Sequence, residues 1–514
     1  MVARIGFLLL TGVLVHGQNL TDEINAWKQP ANEARRSPER SCASLRALTG
    51  YEFSIATAEM IPGINGAPEF CRVTGLIQPE IQFEVALPSS WHGRLLMIGN
   101  GGFAGEDLNL PARQQARNQV AAAGFVFTHT NTGHEAAGEA PGAFAMNKQQ
   151  LLDYAFRAVH VTVDSAKRIA TAYYGHAPAR SYFVGCSTGG RQALMSAQRF
   201  PNDFDGISAG APVLDFVTSM LRAVSMVQIL SKHPIPEAKI ALAGKLIYES
   251  CDAQDGVKDG VIDDPRKCAF QPGRDLPKCS ANDQPECFTD GQLQALTFLY
   301  SEQKAGNARI PAWPVGPEAL GSTGRVGWYN WLVREGNPPL VHMFAEGFFR
   351  YFTDQKNPKL ELASLDLGQP PDLEYIRRVL NATDTDLSQF RDRGGKLLMW
   401  FGWADPALNP VMGIEYYEAV AKAMGPKTTD FFRLFMMPGV FHCSSGPGCD
   451  SAPRLAALID WVEKGRAPER MIAARNVSGK AVRTRPLCPY PQVAKYKGQG
   501  SIDEAANFSC AEAR

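Results

Sequence analysis

Short apolar runs recur along the chain, and stretches of helical periodicity lie between them. Ile81–Leu87 alternates apolar and polar residues and predicts a half-buried strand. Arg94–Ile98, Gly124–Thr128, Ser181–Val184, Gly206–Val213, Lys396–Phe401 and Phe431–Met437 are short apolar runs of the kind buried parallel strands require. Between them, Gln150–Tyr173 carries Leu152, Phe156, Val159, Val163, Ala166 and Ala170 on one helical stripe. Leu455–Glu463 reads as a further helix, stopped by Gly465 and Pro468. Strand and helix alternate over 94–213 and again over 396–465, which predicts an α/β sheet. The stretch 215–385 breaks that rhythm. It is rich in Pro, Gly, Trp, Phe and Cys and reads as an inserted cap, dividing the chain into 18–214, 215–385 and 386–514.

Composition narrows the function classes. The 514 residues are 45% hydrophobic and 20% charged, ordinary globular usage that excludes wholesale disorder. Lys plus Arg and Asp plus Glu each number 52, and this balance argues against a nucleic-acid partner. Met1–Gly17 has the form of a secretory signal, with Arg4 ahead of the apolar run Ile5–Val15 and small residues before Gln18. That run is too short for a stable membrane anchor. A secreted or periplasmic protein is expected. Eleven cysteines suit an oxidising compartment. Placement suggests short loops closed by Cys42 with Cys71, Cys251 with Cys268, Cys279 with Cys287 and Cys488 with Cys510. Cys186, Cys443 and Cys449 remain.

Gly185-Cys186-Ser187-Thr188-Gly189 matches the G-x-S-x-G turn that presents a nucleophilic serine between a strand and a helix. A second match, Gly206-Ile207-Ser208-Ala209-Gly210, lies inside an apolar run with Pro212 close behind and reads as a strand. Ser187 precedes the good helix formers Arg191–Arg199, so it is the expected nucleophile. A serine hydroxyl needs a base, and the base needs an orienting carboxylate. His442 is the only histidine beyond residue 342, and Asp405 follows the run Lys396–Phe401, so Ser187, Asp405 and His442 stand in hydrolase chain order. If Ser187 and His442 meet, the adjacent Cys186 and Cys443 come within disulfide range; a free Cys186 is the other reading.

Gly99-Asn100-Gly101-Gly102-Phe103-Ala104 allows two readings. It imitates a dinucleotide fingerprint, but Pro111 interrupts the helix such a motif needs. It also suits a glycine loop whose Gly102 N–H binds an oxyanion together with the Thr188 N–H, and this reading is preferred. In the insertion, Asp252, Asp255 and Asp259 with the carbonyls of Val257 and Val261 form a dense set of hard oxygen donors. The set suits a structural Ca²⁺, without EF-hand spacing. A solvated acidic turn is the alternative.

These segments, with Asn381-Ala382-Thr383-Asp384 and Gly402-Trp403-Ala404-Asp405-Pro406, resemble the tannase and feruloyl esterase family over about residues 40–490. The resemblance implies an α/β-hydrolase core with a large inserted lid. It implies Ser187, Asp405 and His442 as a triad, a Cys186–Cys443 disulfide, and Asp252, Asp255, Val257, Asp259 and Val261 as calcium ligands. It implies a serine esterase acting on small aromatic esters such as feruloyl or galloyl esters, including plant-polymer derivatives, or mono(2-hydroxyethyl) terephthalate. Asn131 stands where relatives usually carry Asp, and Asn409 where they often carry an apolar residue or Pro. A non-catalytic binding module on the same fold is the reading from another class, although such modules usually lose the serine or histidine. For an aromatic acyl group, the insertion offers Trp313, Trp328, Trp331, Phe344, Phe348, Phe349 and Phe352, and Arg350 for a carboxylate or hydroxyls.

Overall fold

The computed structural model describes residues 23–24, 26–27, 34–63, 68–334, 336–353 and 360–512. The signal-like segment Met1–Gly17 lies outside them.

The fold is organised by a nine-stranded sheet in the order β1-β2-β3-β5-β4-β6-β7-β10-β11. Its strands are β1 (Ser54–Ile61), β2 (Phe70–Ile77), β3 (Ile81–Pro88), β4 (Arg94–Ile98), β5 (Val126–Thr130), β6 (Arg180–Cys186), β7 (Gly206–Gly210), β10 (Lys396–Gly402) and β11 (Phe432–Met437). All six strands from β5 to β11 in that order run parallel, while β1, β2 and β3 pair antiparallel at one end. The apolar runs thus mark every parallel strand, and the first two strands, whose burial alternates irregularly, escaped the pattern. Ser208 sits mid-strand in β7, opposite Val184 and Leu398, which settles the second G-x-S-x-G match as sheet.

Because successive strand residues point to opposite faces, the sheet has two cores. Leu95, Met97, Phe183, Leu397 and Met399 pack with Val159, Val163, Ala166 and Ile169 of α2 (Ala158–Tyr174). Leu96, Ile98, Tyr182, Leu398 and Trp400 face α1 (Pro111–Ala122) and α8 (Arg454–Lys464) on the other side. Two helix predictions need correction. Pro111 is the first residue of α1, where its missing N–H costs nothing, so it starts a helix rather than interrupting one. The helix still opens seven residues after Ala104, the end of the glycine loop, not directly from it, and the dinucleotide reading gains nothing. The predicted helix over 150–173 is broken by a π turn at Asp153–Arg157. The buried Arg191 takes up the carbonyls of Tyr154 and Ala155 there, at 3.1 and 2.8 Å.

Strands β7 and β10 are neighbours in the sheet although about 185 residues separate them. That intervening segment holds α4 (Phe216–Lys232), α5 (Glu237–Cys251), the ribbon β8 (Gln303–Ala305) with β9 (Ala308–Ile310), and α6 (Leu340–Tyr351). It has an apolar centre of its own around Ile240, Ile247, Leu296, Trp313 and Trp328. Phe216, Phe348 and Phe352 belong instead to the core beneath the sheet, so the insertion is anchored to it. The remaining labelled helices are α3 (Thr188–Arg199) and α7 (Pro410–Met424), and two hairpins, β12 (Met471–Val477) with β13 (Lys480–Leu487) and β14 (Gln492–Tyr496) with β15 (Phe508–Glu512), close the chain.

Five disulfides link Cys42–Cys71, Cys186–Cys443, Cys251–Cys268, Cys279–Cys287 and Cys488–Cys510. Cys449 is the free thiol, buried and pushed up to about 11 by that burial.

Three buried histidines make an acid-sensitive core. His92 lies between Trp27 and Phe125, and burial holds it down to about 3. His134 stacks on Phe144 at 3.8 Å and is held to about 4, and burial also lowers His129. Their folded pKa values lie below the unfolded value near 6.5, so the unfolded chain binds more protons below that pH. Stability is therefore complete above pH ~6.5 and lost as pH falls through the window down to ~3, where His92 itself protonates in the folded state. We expect a stability loss on the order of a few kcal/mol between pH 7 and 4.5, read as a falling Tm. His92→Gln should visibly flatten that dependence; an identical slope would remove His92 from the account.

Candidate active site

The parallel strands end on one edge, and their C-terminal loops carry the polar residues singled out above, as open α/β sheets require. Ser187 is the turn between β6 and α3. Its backbone stands at φ 63° and ψ −121°, a strained conformation for a side-chain-bearing residue. Glycine on both sides is a packing requirement. A Cβ on Gly185 would come within 2.6 Å of the Gly189 carbonyl, and one on Gly189 within 3.1 Å of the Asn100 carbonyl.

His442 follows β11 and Asp405 follows β10. His442 Nδ1 and Asp405 Oδ2 are hydrogen-bonded at 2.8 Å, with Asp405 fully buried. Asp405 Oδ1 accepts the N–H groups of Ala407 and Leu408 at 2.8 and 2.9 Å, so the carboxylate has one orientation. This leaves the imidazole Nε2 as the atom presented away from the acid. The histidine loop is closed by Ser445, whose N–H donates to Asp450 Oδ2 at 2.7 Å, a contact the sequence did not signal. The Cys186–Cys443 bridge holds the residue before Ser187 and the residue after His442 with Cα atoms 5.9 Å apart. The serine turn and the histidine loop are therefore covalent neighbours.

The glycine loop lies beside them. Gly102 adopts φ 51°, and its carbonyl accepts the Thr188 hydroxyl and, at 2.9 Å, the Tyr154 hydroxyl. Thr188 begins α3, so its N–H has no intrahelical acceptor. The Thr188 hydroxyl bond to the Gly102 carbonyl brings the start of α3 and the glycine loop together.

Of the seven aromatic residues considered in the insertion, two reach this edge. Trp331 meets the His442 ring edge-on at 5.1 Å, and Phe344 meets Phe103 at 5.1 Å and lies over Gly102. The two rings stack on each other 6.3 Å apart. Trp313, Trp328, Phe348, Phe349 and Phe352 are buried in the cores. Trp313 still acts at a distance, its indole donating to the Asp405 carbonyl at 3.0 Å. Arg350 lies six residues after Phe344, about 240° round α6, and is ion-paired with Glu346 at 2.7 Å. Asn131 is a turn residue: its Oδ1 accepts the Gln82 and Gly133 N–H groups while its Nδ2 donates to the Glu80 carbonyl, which aspartate could not do. Asn409 caps α7 and donates to the carbonyls of Pro311 and Ala312, both at 3.0 Å, tying the acid's loop to the insertion.

The acidic loop after α5 folds on its own carboxylates. Asp252 accepts the N–H groups of Asp259 and Gly260 at 3.1 and 2.9 Å, Asp255 that of Val257 at 2.8 Å, and Asp259 that of Val261 at 3.1 Å. Asp263, which the sequence reading did not include, belongs to the same cluster. Burial, then the charges of Asp255 and Asp259, push it up to about 8, and Asp255 rises to about 6. Arg485 is paired with Asp259, and Arg483 stands 3.8 Å from it. Among the described residues no three such groups already converge on one metal position. The cluster crowds the carboxylates of Asp252, Asp255, Asp259 and Asp263 together, with Arg483 and Arg485 set against Asp259.

Residues 66–511 match the family model described as tannase and feruloyl esterase. An uncharacterised esterase of Xanthomonas campestris pv. campestris is 33% identical over 93% of this chain and 92% of its own. The mono(2-hydroxyethyl) terephthalate hydrolase of Piscinibacter sakaiensis is 32% identical, covering 86% of this chain and 85% of that protein. Among solved structures, feruloyl esterase B of Aspergillus oryzae aligns with a TM-score of 0.79 at 25% identity, over 91% of this chain and 99% of that one.

Proposed function

The chain belongs to the tannase and feruloyl esterase family, and from that premise we propose that it cleaves esters of aromatic carboxylic acids through an acyl-enzyme on Ser187. It is an α/β-hydrolase and a carboxylic ester hydrolase. In the proposed reaction Ser187 Oγ attacks the ester carbonyl and His442 Nε2 takes its proton. Asp405 fixes the imidazole and stabilises its positive charge. The N–H groups of Gly102 and Thr188 hold the oxyanion. His442 then protonates the departing alcohol, and a water molecule, deprotonated by the same imidazole, releases the acid. The single observation that carries this reading is the Asp405–His442 hydrogen bond tied by Cys186–Cys443 to the Ser187 turn.

For the acyl group we favour a neutral aromatic acid. Trp331 and Phe344 supply a flat apolar wall between the base and the oxyanion loop, and Arg350 is already paired with Glu346. Methyl ferulate or methyl gallate should therefore be turned over faster than mono(2-hydroxyethyl) terephthalate. A rate panel of the three decides, and a terephthalate monoester leading it would reverse this assignment. An aryl ester compared with its matching anilide tests ester against amide chemistry.

We further propose that Asp252, Asp255, Val257, Asp259 and Val261 hold a structural Ca²⁺. Support comes from the hard oxygen donors crowded in that loop; no residue of the triad lies in it. A ligand bound only by the folded state stabilises it by mass action. Chelation should lower Tm by about 5 °C, with kcat of the still-folded enzyme retained. An unchanged melting curve together with metal analysis finding none bound would remove the ion. Five disulfides support export to an oxidising compartment.

A further inference from the structure

The helix that follows Ser187 and the glycine loop are joined by a buried polar network that the reaction above does not use. Gln192 on α3 faces Asn100 in the loop, and the two are reciprocally bonded. The Asn100 N–H donates to Gln192 Oε1 at 3.0 Å, and Gln192 Nε2 donates to Asn100 Oδ1 at 3.2 Å. Asn100 Nδ2 donates onward to Glu106 Oε2 at 3.0 Å and to the Thr130 carbonyl at 2.8 Å. The Gly101 N–H donates to Glu106 Oε1 at 2.9 Å. Arg113 on α1 pairs with Glu106 and donates to the Gly99 carbonyl at 2.9 Å. Gln192 is 1% and Asn100 3% exposed, so water does not substitute for these bonds.

The loop needs such support. Three of the four residues from Gly99 to Gly102 are glycine, which populates many backbone conformations about equally. A packed side chain cannot hold it, because a Cβ on Gly99 would come within 2.6 Å of Gly189. Hydrogen bonds do so instead. The amides of Asn100 and Gly101 are held by Gln192 and Glu106, and the Gly102 carbonyl by Thr188 and Tyr154. The Gly102 N–H lies between groups fixed on both sides, and Gln192 ties them to the helix whose first residue, Thr188, supplies the other amide.

We propose that Gln192 and Glu106 are positioning residues that set the distance and direction of the Gly102 N–H relative to the Ser187 turn. They touch neither substrate nor reacting atoms. The proposal rests on Gly102 and Thr188 as the oxyanion donors. A donor displaced from the oxygen it stabilises loses transition-state binding while leaving ground-state binding nearly intact.

The test uses the full-length protein and an aryl boronic acid, to whose boron Ser187 Oγ adds while its proton passes to His442, giving a tetrahedral anion. Gln192→Leu removes both bonds to Asn100. Its kcat should fall about 10- to 100-fold with KM within about twofold, and its affinity for the boronate should fall by a similar factor. Inhibition by the aromatic acid product and the midpoint of the pH profile should not move. Glu106→Gln keeps an acceptor for the Gly101 N–H but turns an NH2 donor toward Asn100 Nδ2 and Arg113, losing both contacts, so a loss of the same kind is expected; it replaces Gln192→Leu should that variant not fold. Wild-type kcat and boronate affinity in a folded variant would overturn the proposal. So would an equal loss of product affinity, which would indicate a collapsed pocket. Ser187→Ala separates the two layers: if it keeps turnover or boronate binding, the Ser187 reading itself has failed, and if it loses both while Gln192→Leu matches wild type, only the positioning role has.

Discussion

Replacing Ser187 with alanine should abolish ester turnover, lowering kcat by about 10⁴–10⁶ while the fold and Tm stay close to wild type. The expectation follows from the site's chemistry. The hydroxyl is the group that forms the covalent bond, and the neighbouring Gly102 and Thr188 amides can only assist attack by water once it is gone. Alanine keeps the Cβ at φ 63° and so keeps the turn's strain. His442→Ala should fall into the same range, and the double variant should be no slower than either single one, because the two side chains act as a unit. Asp405→Asn should lose about 10⁴, since an amide donating to Nδ1 leaves the proton on Nε2, where the base must accept. A loss below about a hundredfold in Ser187→Ala, measured with an aryl ester, would refute the mechanism.

The second large effect concerns the bridge between Cys186 and Cys443. It closes a loop of 257 residues, and the chain-entropy model assigns such a crosslink about 5 kcal/mol. Cys186→Ala with Cys443→Ala should therefore lower Tm by about 5 °C. Cys443 stands at φ 65°, and alanine inherits the same backbone strain, so the comparison isolates the crosslink. The bridge also joins the residues flanking nucleophile and base. Their separation should loosen without it, and kcat at a temperature where the variant is fully folded should drop about tenfold. Lower Tm at unchanged kcat would make the bridge a crosslink alone. Peptide mapping of the unreduced protein should find Cys449 as the alkylatable thiol only after unfolding, because burial keeps it protonated and covered.

The sequence by itself determined the residues that lie at the ends of the parallel strands. Buried strands are apolar runs and a serine turn needs glycine on either side, so both are written in a few consecutive residues. Ser187, Asp405 and His442 could be named because each follows such a run, and Ser208 was set apart because it lies inside one, with Pro212 close behind. The same local logic misread Pro111, since proline ends a helix in its interior but starts one at its first position. Only the tertiary structure decided what depends on residues far apart in the chain. The antiparallel β1 is held by pairing with β2, and β2 by pairing with β3, rather than by a period of their own. Trp331 and Phe344 look no different in sequence from Trp328 and Phe348; the packing of the insertion leaves the first two at the site and buries the others. Arg485 joins the acidic loop across the chain, and Gln192 reaches Asn100 across 92 residues. The physical reason is common to all of these. Periodicity and turn chemistry act between neighbours, whereas a hydrogen bond or ion pair between distant segments is settled only when the sheet brings them together.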